Sequence, residues 1–425
     1  MTADSPPGRF SRLLPPPGLA RRLCLQSALY AVGSGVFLSG NAVFFTQIVG
    51  LSAAQVGVGI SIAGVVAFIA SVPVGSLADR LGPLRTWLLA ALAEGCVYLA
   101  YPWARGLAAF LAIVVVLALV ESAGNSGRGA YTLDVLERGT RVKVLAYVRS
   151  ALNIGFTVGA LLGGLALATG SRRAIMAVPL AAGVMMLVNG LLISRLPEPE
   201  QHEQTGPRPS RLAALRDRPF LAMSVFNGLV GSHGVLLTVV FPLWLVERTN
   251  APHVLLAWLF ALNTVLAVAL QVWAARGAET VAGAVRACRI AAVFMAVGCV
   301  AVMFTAGTTR LVTILLLVVA YSGITFGELF QSGGSWGLVS ELSPAGQRAQ
   351  YQGAFRLGNQ LQSMLGPAAF TALAVAWNPI GWLLIAVLIV LAALALGPAA
   401  MATARVRSTE LSAAGRADRG ARSGS

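Results

Sequence analysis

The chain contains few charged residues, and acids are the scarcest of them. Asp and Glu together number 16 among 425 residues, and charged residues of both signs make up 11% of the chain. Soluble globular proteins contain about 25% charged residues, so this composition excludes an ordinary water-soluble domain. The mean hydropathy of +0.77 and the 57% of hydrophobic residues indicate a protein that lies largely in lipid.

Signatures of metal binding, redox chemistry and catalysis are also missing. The four cysteines, Cys24, Cys96, Cys288 and Cys299, lie in apolar stretches without the spacing of metal ligands. We interpret them as buried small hydrophobic side chains. The sequence has no Walker-type phosphate loop and no Cys-x-x-Cys pair. We therefore expect no metal, no cofactor, no enzymatic activity and no ATP-driven transport by this chain alone.

Long apolar runs recur along the whole chain. A membrane-spanning helix needs roughly 20 predominantly apolar residues, and these runs are continuous rather than alternating, which excludes a β-barrel. The sequence therefore predicts an all-α integral membrane protein with twelve spans. The predicted spans are residues 23–47, 54–78, 86–104, 107–127, 146–169, 173–194, 219–246, 253–275, 287–306, 310–333, 349–375 and 379–400.

The net charge of +15 is distributed unevenly between the two sides of the predicted spans. On one side the loops contain five of the 31 basic residues, and most of the others lie on the opposite side. By the positive-inside rule both termini and the middle loop are cytoplasmic, in a plasma or inner cell membrane. We expect the basic surface to contact anionic lipid and not nucleic acid. The five residues on the first side are Arg105, Arg172, Arg173, Arg248 and Arg310.

One long polar interruption, residues 195–218, divides the spans into six and six. It predicts a cytoplasmic linker between an N-terminal six-helix bundle, residues 23–194, and a C-terminal one, residues 219–400. Residues 1–22 are predicted to form a cytoplasmic tail. Residues 401–425 are rich in Ala, Arg, Ser and Gly, and we expect a disordered cytoplasmic tail there.

The two halves match weakly but in register. At an offset of 198 residues Gly33 corresponds to Gly231, and at an offset of 203 Gly155 corresponds to Gly358. Internal repeats of this kind are typical of transporters whose substrate site lies near the midplane between the repeats.

The segment GSLADRLGPLR, residues 75–85, is a charged turn between two long apolar runs. Its glycines, Gly75 and Gly82, permit close helix approach and a tight turn. Asp79 can accept hydrogen bonds from backbone N–H groups at a helix N-terminus, where the helix dipole favours an anion. Next to it, Arg80 and Arg85 can pair with acids on the cytoplasmic side, for which Asp134 and Glu137 are the candidates.

This segment resembles the loop signature between spans 2 and 3 of the major facilitator superfamily, Gly-x-Leu-Ala-Asp-Arg-x-Gly-x-x-Arg. The resemblance implies two pseudo-symmetric six-helix bundles that work by alternating access. It also implies a conformational latch in which Asp79 holds the outward-open state by contacting the start of span 11. The equivalent segment at 276–279 has lost the pattern, so we expect one latch. Its residues are Gly75, Asp79, Arg80, Gly82 and Arg85.

A second resemblance concerns the subfamily. The motifs VSELSP at 339–344, YQGAF at 351–355 and LGP at 365–367 resemble spans 10 and 11 of drug-efflux-like proton antiporters. In span 5 that group has Gly-Pro-x-x-Gly-Gly, and residues 159–164 keep the glycines but lack the proline. Small residues at every fourth position there predict close packing against another helix.

Two acids lie deep inside predicted spans, Glu121 in span 4 and Glu328 in span 10. A charge at the bilayer centre costs roughly 2.5–3.5 kcal/mol on insertion scales, so such a residue faces a cavity or a partner. The resemblance implies that spans 4 and 10 line the central cavity, where both acids could carry protons. Arg128 lies two helical turns after Glu121, on the same face of the helix. The alternative is a structural hydrogen bond or ion pair, which we favour for Glu94 in span 3.

Further polar residues in three spans are candidates for substrate or proton binding. His233 in span 7 either titrates near physiological pH or is a packed, hydrogen-bonded residue. Near the cytoplasmic end of span 5, Arg149 and Asn153 lie one turn apart, and Gln352 and Arg356 are their repeat mates in the unusually polar span 11. These side chains either hold helices together or line an aqueous path.

The leading hypothesis is proton-coupled efflux of a small apolar or amphiphilic compound by a monomer in the lipid bilayer. Protons and the small-molecule substrate are then its partners. The alternatives are proton-coupled uptake of a sugar, peptide or metabolite, and a membrane sensor or scaffold that has lost transport.

Overall fold

The computed structural model describes residues 15–199, 212–377 and 380–423, and every regular element in them is helical. Two π-helical segments, Phe45–Val49 and Leu236–Val240, and one 3-10 turn, Tyr101–Trp103, interrupt or join the α-helices. The α-helices are α1 (Leu19–Phe44), α2 (Ala53–Leu81), α3 (Pro83–Ala100), α4 (Gly106–Val135), α5 (Arg138–Ala168), α6 (Arg172–Ser194), α7 (Ala213–Arg216), α8 (Arg218–Val230), α9 (His233–Val235), α10 (Phe241–Arg248), α11 (Leu255–Ala274), α12 (Val281–Met303), α13 (Arg310–Leu342), α14 (Arg348–Ala376) and α15 (Ile380–Ser423).

The all-α membrane architecture is confirmed. Ten helical stretches of the described chain are long and apolar enough to cross a membrane, with α8 to α10 forming one of them. The remaining two long helices are α3, with 18 residues, and α14, with 29 residues. They occupy the predicted positions of spans 3 and 11. In α14 the polar side chains of Gln352, Arg356 and Gln360 reduce the apolar character of the helix.

By their contacts the described residues form two compact units. Unit 1 lies within Met1–Ala63, Trp87–Gly124 and Lys143–Glu198. Unit 2 lies within Gly64–Thr86, Asn125–Val142 and Pro199–Ser425. This division differs from a cut at the linker. The ends of α2 and α4 belong to unit 2 because they bond directly to α13 and α14.

Unit 1 is held together by aromatic side chains and by close helix packing. The rings of Phe37 and Tyr98 lie 4.6 Å apart between centroids, and those of Phe45 and Phe110 lie 4.7 Å apart. In α5, a Cβ atom on Gly159 would lie 2.2 Å from the carbonyl oxygen of Val32 in α1. The predicted close packing of span 5 through small residues is therefore confirmed.

Unit 2 contains the corresponding contact between α8 and α14. A Cβ atom on Gly358 would lie 1.9 Å from the carbonyl oxygen of Ser224. Its predicted repeat mate Gly155 makes the same kind of contact in unit 1, where a Cβ atom would lie 2.4 Å from the carbonyl oxygen of Ala28. Glycines at the predicted offset thus serve the same purpose in both halves.

The C-terminal segment differs from the expected disordered tail. Helix α15 continues through Ser423, because Ala and Arg are strong helix formers and no proline follows Pro398. Arg407 in this extension forms an ion pair with Asp217 and donates from Nε to the carbonyl oxygen of Leu342 at 3.0 Å. Asp217 in turn caps α8 by accepting from the Phe220 N–H at 3.2 Å.

Two other sequence predictions have different outcomes. Three cysteines are buried, as predicted, but Cys96 is exposed on α3. Half of the predicted linker, residues 200–211, lies outside the described residues, since the described chain stops at residue 199 and resumes at 212.

Candidate functional site

The turn at residues 75–85 joins α2 to α3 through a single residue. Gly82 has φ +94°, a left-handed conformation that ends α2 without a Cβ clash, and its N–H donates to the carbonyl oxygen of Ala78 at 3.0 Å. Pro83 then opens α3, a position that has no need of a backbone N–H. The last turn of α2 is thereby held in one orientation.

Asp79, on that last turn, caps the N-terminus of α14. Its Oδ1 accepts from the backbone N–H of Ala349 at 2.8 Å, and its Oδ2 accepts from the N–H of Gln350 at 2.9 Å. The first N–H groups of a helix have no partner within the helix, and the helix dipole favours a carboxylate there. This is the contact between Asp79 and the start of span 11 that the family resemblance implies.

Backbones of α2 and α14 approach closely next to this cap. A Cβ atom on Gly75 would lie 2.5 Å from the carbonyl oxygen of Ala349, and one on Gly353 would lie 2.2 Å from that of Ser71. The Ser71 hydroxyl donates to Oε1 of Gln360 at 2.9 Å. Polar and backbone contacts therefore run along the crossing of α2 and α14.

The C-terminal end of α4 meets the N-terminal end of α14, which Asp79 also contacts. Arg348, the first residue of α14, donates to the carbonyl oxygen of Leu133 at 2.6 Å and forms an ion pair with Asp134. The sequence predicted that Asp134 or Glu137 would pair with the latch arginines. The structure instead gives Asp134 this partner on α14, while Arg80 and Arg85 are exposed.

Arg141 is a second cation at the end of α4, and it is only 3% exposed. Its Nη2 donates to the carbonyl oxygens of Leu133, at 2.6 Å, and Leu136, at 2.9 Å. Its Nη1 donates to the hydroxyl of Ser340 in α13 at 2.7 Å. The guanidinium thus satisfies orphan carbonyls of α4 and ties α4 to α13.

Replacing Arg141 by alanine should destabilise the protein by about 2–4 kcal/mol, because three buried hydrogen bonds of a charged group are lost. Thermal unfolding of the purified protein in detergent measures the effect. The control is Arg138→Ala, an exposed arginine of the same first turn of α5, whose loss should change stability by no more than about 0.5 kcal/mol. Equal effects of the two variants would contradict the assigned contacts.

Glu328 is buried in α13 and only 8% exposed. Its Oε2 accepts a hydrogen bond from Nδ2 of Asn263 in α11 at 3.1 Å. Asn263 also donates to the hydroxyl oxygen of Thr325 at 3.1 Å. The acid predicted as a proton carrier therefore lies in the interface between α11 and α13.

Glu121 lies in unit 1, half-buried in α4. Glu94 in α3 is 6% exposed, and the Tyr98 hydroxyl lies within electrostatic range of both carboxylates. Tyr101, stacked at 5.9 Å from Tyr98, interacts with Glu121 in the same way. Glu94 and Glu121, which the sequence analysis considered separately, therefore both interact with Tyr98.

His233 lies at a break in span 7. Helix α8 ends at Val230, and a turn at Gly231 and Ser232 precedes the short α9 and the π-helical segment. His233 Nε2 lies 3.3 Å from Oε1 of Gln331. Since Nε2 of Gln331 donates to the Ser335 hydroxyl at 2.8 Å, its Oε1 faces the histidine, and His233 Nε2 is the donor.

Gln331 and Ser335 extend this contact into a buried polar cluster with Asn227. The Ser335 hydroxyl donates to Oδ1 of Asn227 at 2.8 Å, and Asn227 is fully buried. Interrupted spans with polar groups are where transporters bind substrates and ions. Sequence reasoning missed these three residues. The available signals were the four-residue spacing of Gln331 and Ser335 and the glycine of the repeat, Gly231.

The other predicted candidates are half-buried. Arg149 and Asn153 lie one turn apart on α5 in unit 1, whereas Arg128 on α4 and Arg356 on α14 belong to unit 2. Among the predicted site residues, hydrogen bonds connect Asp79 to α14, His233 to α13 and Glu328 to α11.

The long apolar helices and their polar interior define a multi-pass α-helical membrane protein. Residues 23–367 match the model of the Major Facilitator Superfamily, so the chain belongs to this family of transporters. No curated protein matches the chain significantly.

Solved transporters have a similar fold. The human organic anion transporter MFSD10 (TETRAN) is 18% identical, with TM-score 0.64 and coverage of 89% of this chain and 100% of the other. A bacterial homologue of the iron transporter ferroportin is 14% identical, with TM-score 0.69 and coverage of 91% and 99%. The E. coli fucose:proton symporter FucP is 14% identical, with TM-score 0.64 and coverage of 90% and 98%.

Proposed function

We propose that the chain is a secondary transporter that exports a small apolar or amphiphilic compound in exchange for protons, by alternating access. The observation that carries this proposal is the capping of α14 by Asp79, a contact between residues 270 positions apart that rests on two hydrogen bonds. A few bonds at a helix end can break and re-form as a unit. That is what a conformational latch requires.

The second support is the presence of carboxyl groups at depth. Glu328 and Glu121 lie in long apolar helices, where a charge is costly unless it has a function or a partner. Glu328 accepts a hydrogen bond from the uncharged amide of Asn263. Protonation of these acids would favour one orientation and the exported compound the other, because a ligand shifts a conformational equilibrium only through differential affinity.

Transport in liposomes tests this function. The purified protein is reconstituted, a proton gradient is imposed, and movement of the amphiphilic cation ethidium is followed by fluorescence. We expect gradient-driven transport by the native protein and its complete loss in the double variant Glu121→Gln, Glu328→Gln, with downhill ethidium movement retained. Intact gradient-driven transport in the double variant would show that these acids are not the coupling groups.

A second candidate function is proton-coupled uptake of a hydrogen-bonding solute such as a sugar, peptide or metabolite. The cluster of Asn227, Gln331, Ser335 and His233 favours it, because these side chains supply both donors and acceptors. Structurally similar proteins include a fucose:proton symporter and an organic anion transporter. The direction of radiolabelled solute flux separates export from uptake, and binding without flux would favour a sensor.

We also propose a monomer in the cell membrane. The basic loops support a cytoplasmic position for both termini. On that orientation the Asp79 cap and the contacts of Arg348 and Arg141 lie on the cytoplasmic side. A reporter fused at residue 205, within the predicted linker, should be active only in the cytoplasm.

A further inference from the structure

The amide of Asn263 is held in one orientation by its neighbours on α13. Its Nδ2 donates to Oγ1 of Thr325 and to Oε2 of Glu328, each at 3.1 Å. The Thr325 hydroxyl donates its only hydrogen to the carbonyl oxygen of Tyr321 at 2.8 Å. The Thr325 oxygen can therefore only accept from Asn263. A flipped amide would set two acceptors against each other, so Asn263 must present NH₂ at this position.

Glu328 consequently faces a fixed donor. A hydrogen bond donated to a carboxylate favours the charged form over the protonated form. The same bond is charge-assisted, which makes it stronger than a bond between neutral groups. The proton affinity of Glu328 thus depends on a side chain of a different helix, α11.

Other ionisable groups around Glu328 are few in the described part of the chain. Helix α11 contains none between Leu255 and Ala274. On α13 the Tyr321 phenol interacts electrostatically with Glu328, and one turn towards the helix end Gln331 is bonded to His233. The two arginines of α12 extend elsewhere, Arg286 to Gly277 and Arg289 to Gly397.

We propose that Asn263, oriented by Thr325, is a positioning residue that sets the proton affinity of Glu328 and thereby the pH range of proton coupling. This inference rests on the proposed function, in which Glu328 carries a proton. It adds that the pH range depends on the interface of α11 and α13. A relative shift of the two helices would break the bond and make the acid easier to protonate.

The test is an infrared pH titration of the protonated carboxyl band, using the full-length protein in liposomes without substrate. Glu328→Gln identifies the band of this residue by its loss. Asn263→Leu removes the donor at similar volume, and we expect the midpoint of the Glu328 titration to rise by about one to two pH units. Thr325→Val should raise it less, because the amide keeps its position but loses its orientation.

Gln271→Leu is the matched control. Gln271 lies two turns further along α11 and donates to the Leu329 carbonyl oxygen at 3.2 Å, so its loss weakens the same interface without touching Glu328. Its midpoint should equal that of the native protein. Asn263→Asp preserves the size of the side chain and should raise the midpoint, because two carboxyl groups would share a proton.

The inference is overturned if both Asn263 variants titrate like the native protein, if Gln271→Leu shifts the midpoint as much as they do, or if no band is lost in Glu328→Gln. Failure of the proposed function has a different signature. The midpoints would then shift as expected, while Glu328→Gln and Glu121→Gln together would leave gradient-driven ethidium transport unchanged.

Discussion

Asp79→Ala is expected to open the contact between α2 and α14. The variant leaves the N–H groups of Ala349 and Gln350 without their carboxylate acceptor. Loss of two charge-assisted bonds at a helix terminus costs the present arrangement about 3 kcal/mol, which is about a hundredfold change in the conformational ratio. We expect gradient-driven transport to fall because the latched state becomes about a hundredfold less populated relative to the unlatched one.

Chemical labelling measures this change directly. Gln350 is 2% exposed, so Gln350→Cys, in a background without the four native cysteines, should react slowly with an impermeant maleimide. Adding Asp79→Ala should accelerate labelling strongly. The control is Thr280→Ala, which removes the cap of α12 at the Gly283 N–H but touches neither α2 nor α14. Equal labelling with and without Asp79 would rule out the latch.

Gly159→Val is expected to be the most destabilising single substitution in α5. Its Cβ would lie 2.2 Å from the Val32 carbonyl oxygen and 2.9 Å from the Val36 nitrogen, both backbone atoms of α1. Neither atom can move without displacing the helix. The cost should reach or exceed about 3 kcal/mol, the upper end of the range for overpacked sites. The fraction of monodisperse protein remaining after heating in detergent measures it.

Gly164→Val is the matched control for this variant. Gly164 belongs to the same helix, and a Cβ atom there would meet nothing within 4 Å. The two substitutions change helix propensity and hydrophobicity equally. Unfolding temperatures that fall together in both variants would mean that propensity, and not the contact with α1, determines the effect.

Local features of the site could be predicted from the sequence. The turn at Gly82 follows from a glycine and a proline between two apolar runs, and the structure has Gly82 at φ +94° there. The close packing of span 5 follows from its spacing of small residues. Glu328 stands out as an acid in an apolar run. Each prediction rests on residues within about two helical turns, where backbone geometry fixes the neighbours.

The partners of these residues could not be predicted in the same way. Asp134 pairs with Arg348, 214 positions away, and Arg141 bonds Ser340, 199 positions away. From the sequence alone, Arg80 and Arg85 were as plausible as Arg348 as ion-pair partners of Asp134. Which cation meets an acid depends on which helix ends lie side by side, and charge alone does not specify this.

Length, hydropathy and glycine spacing act locally, so they suffice to specify a polytopic helical protein with a charged turn after its second span. The break in span 7, the buried cluster of Asn227, Gln331 and Ser335, and the bond from Asn263 to Glu328 depend instead on how the helices pack. Buried polar groups must find partners wherever packing brings them. Those partners are set by helix crossings that no short stretch of the chain encodes.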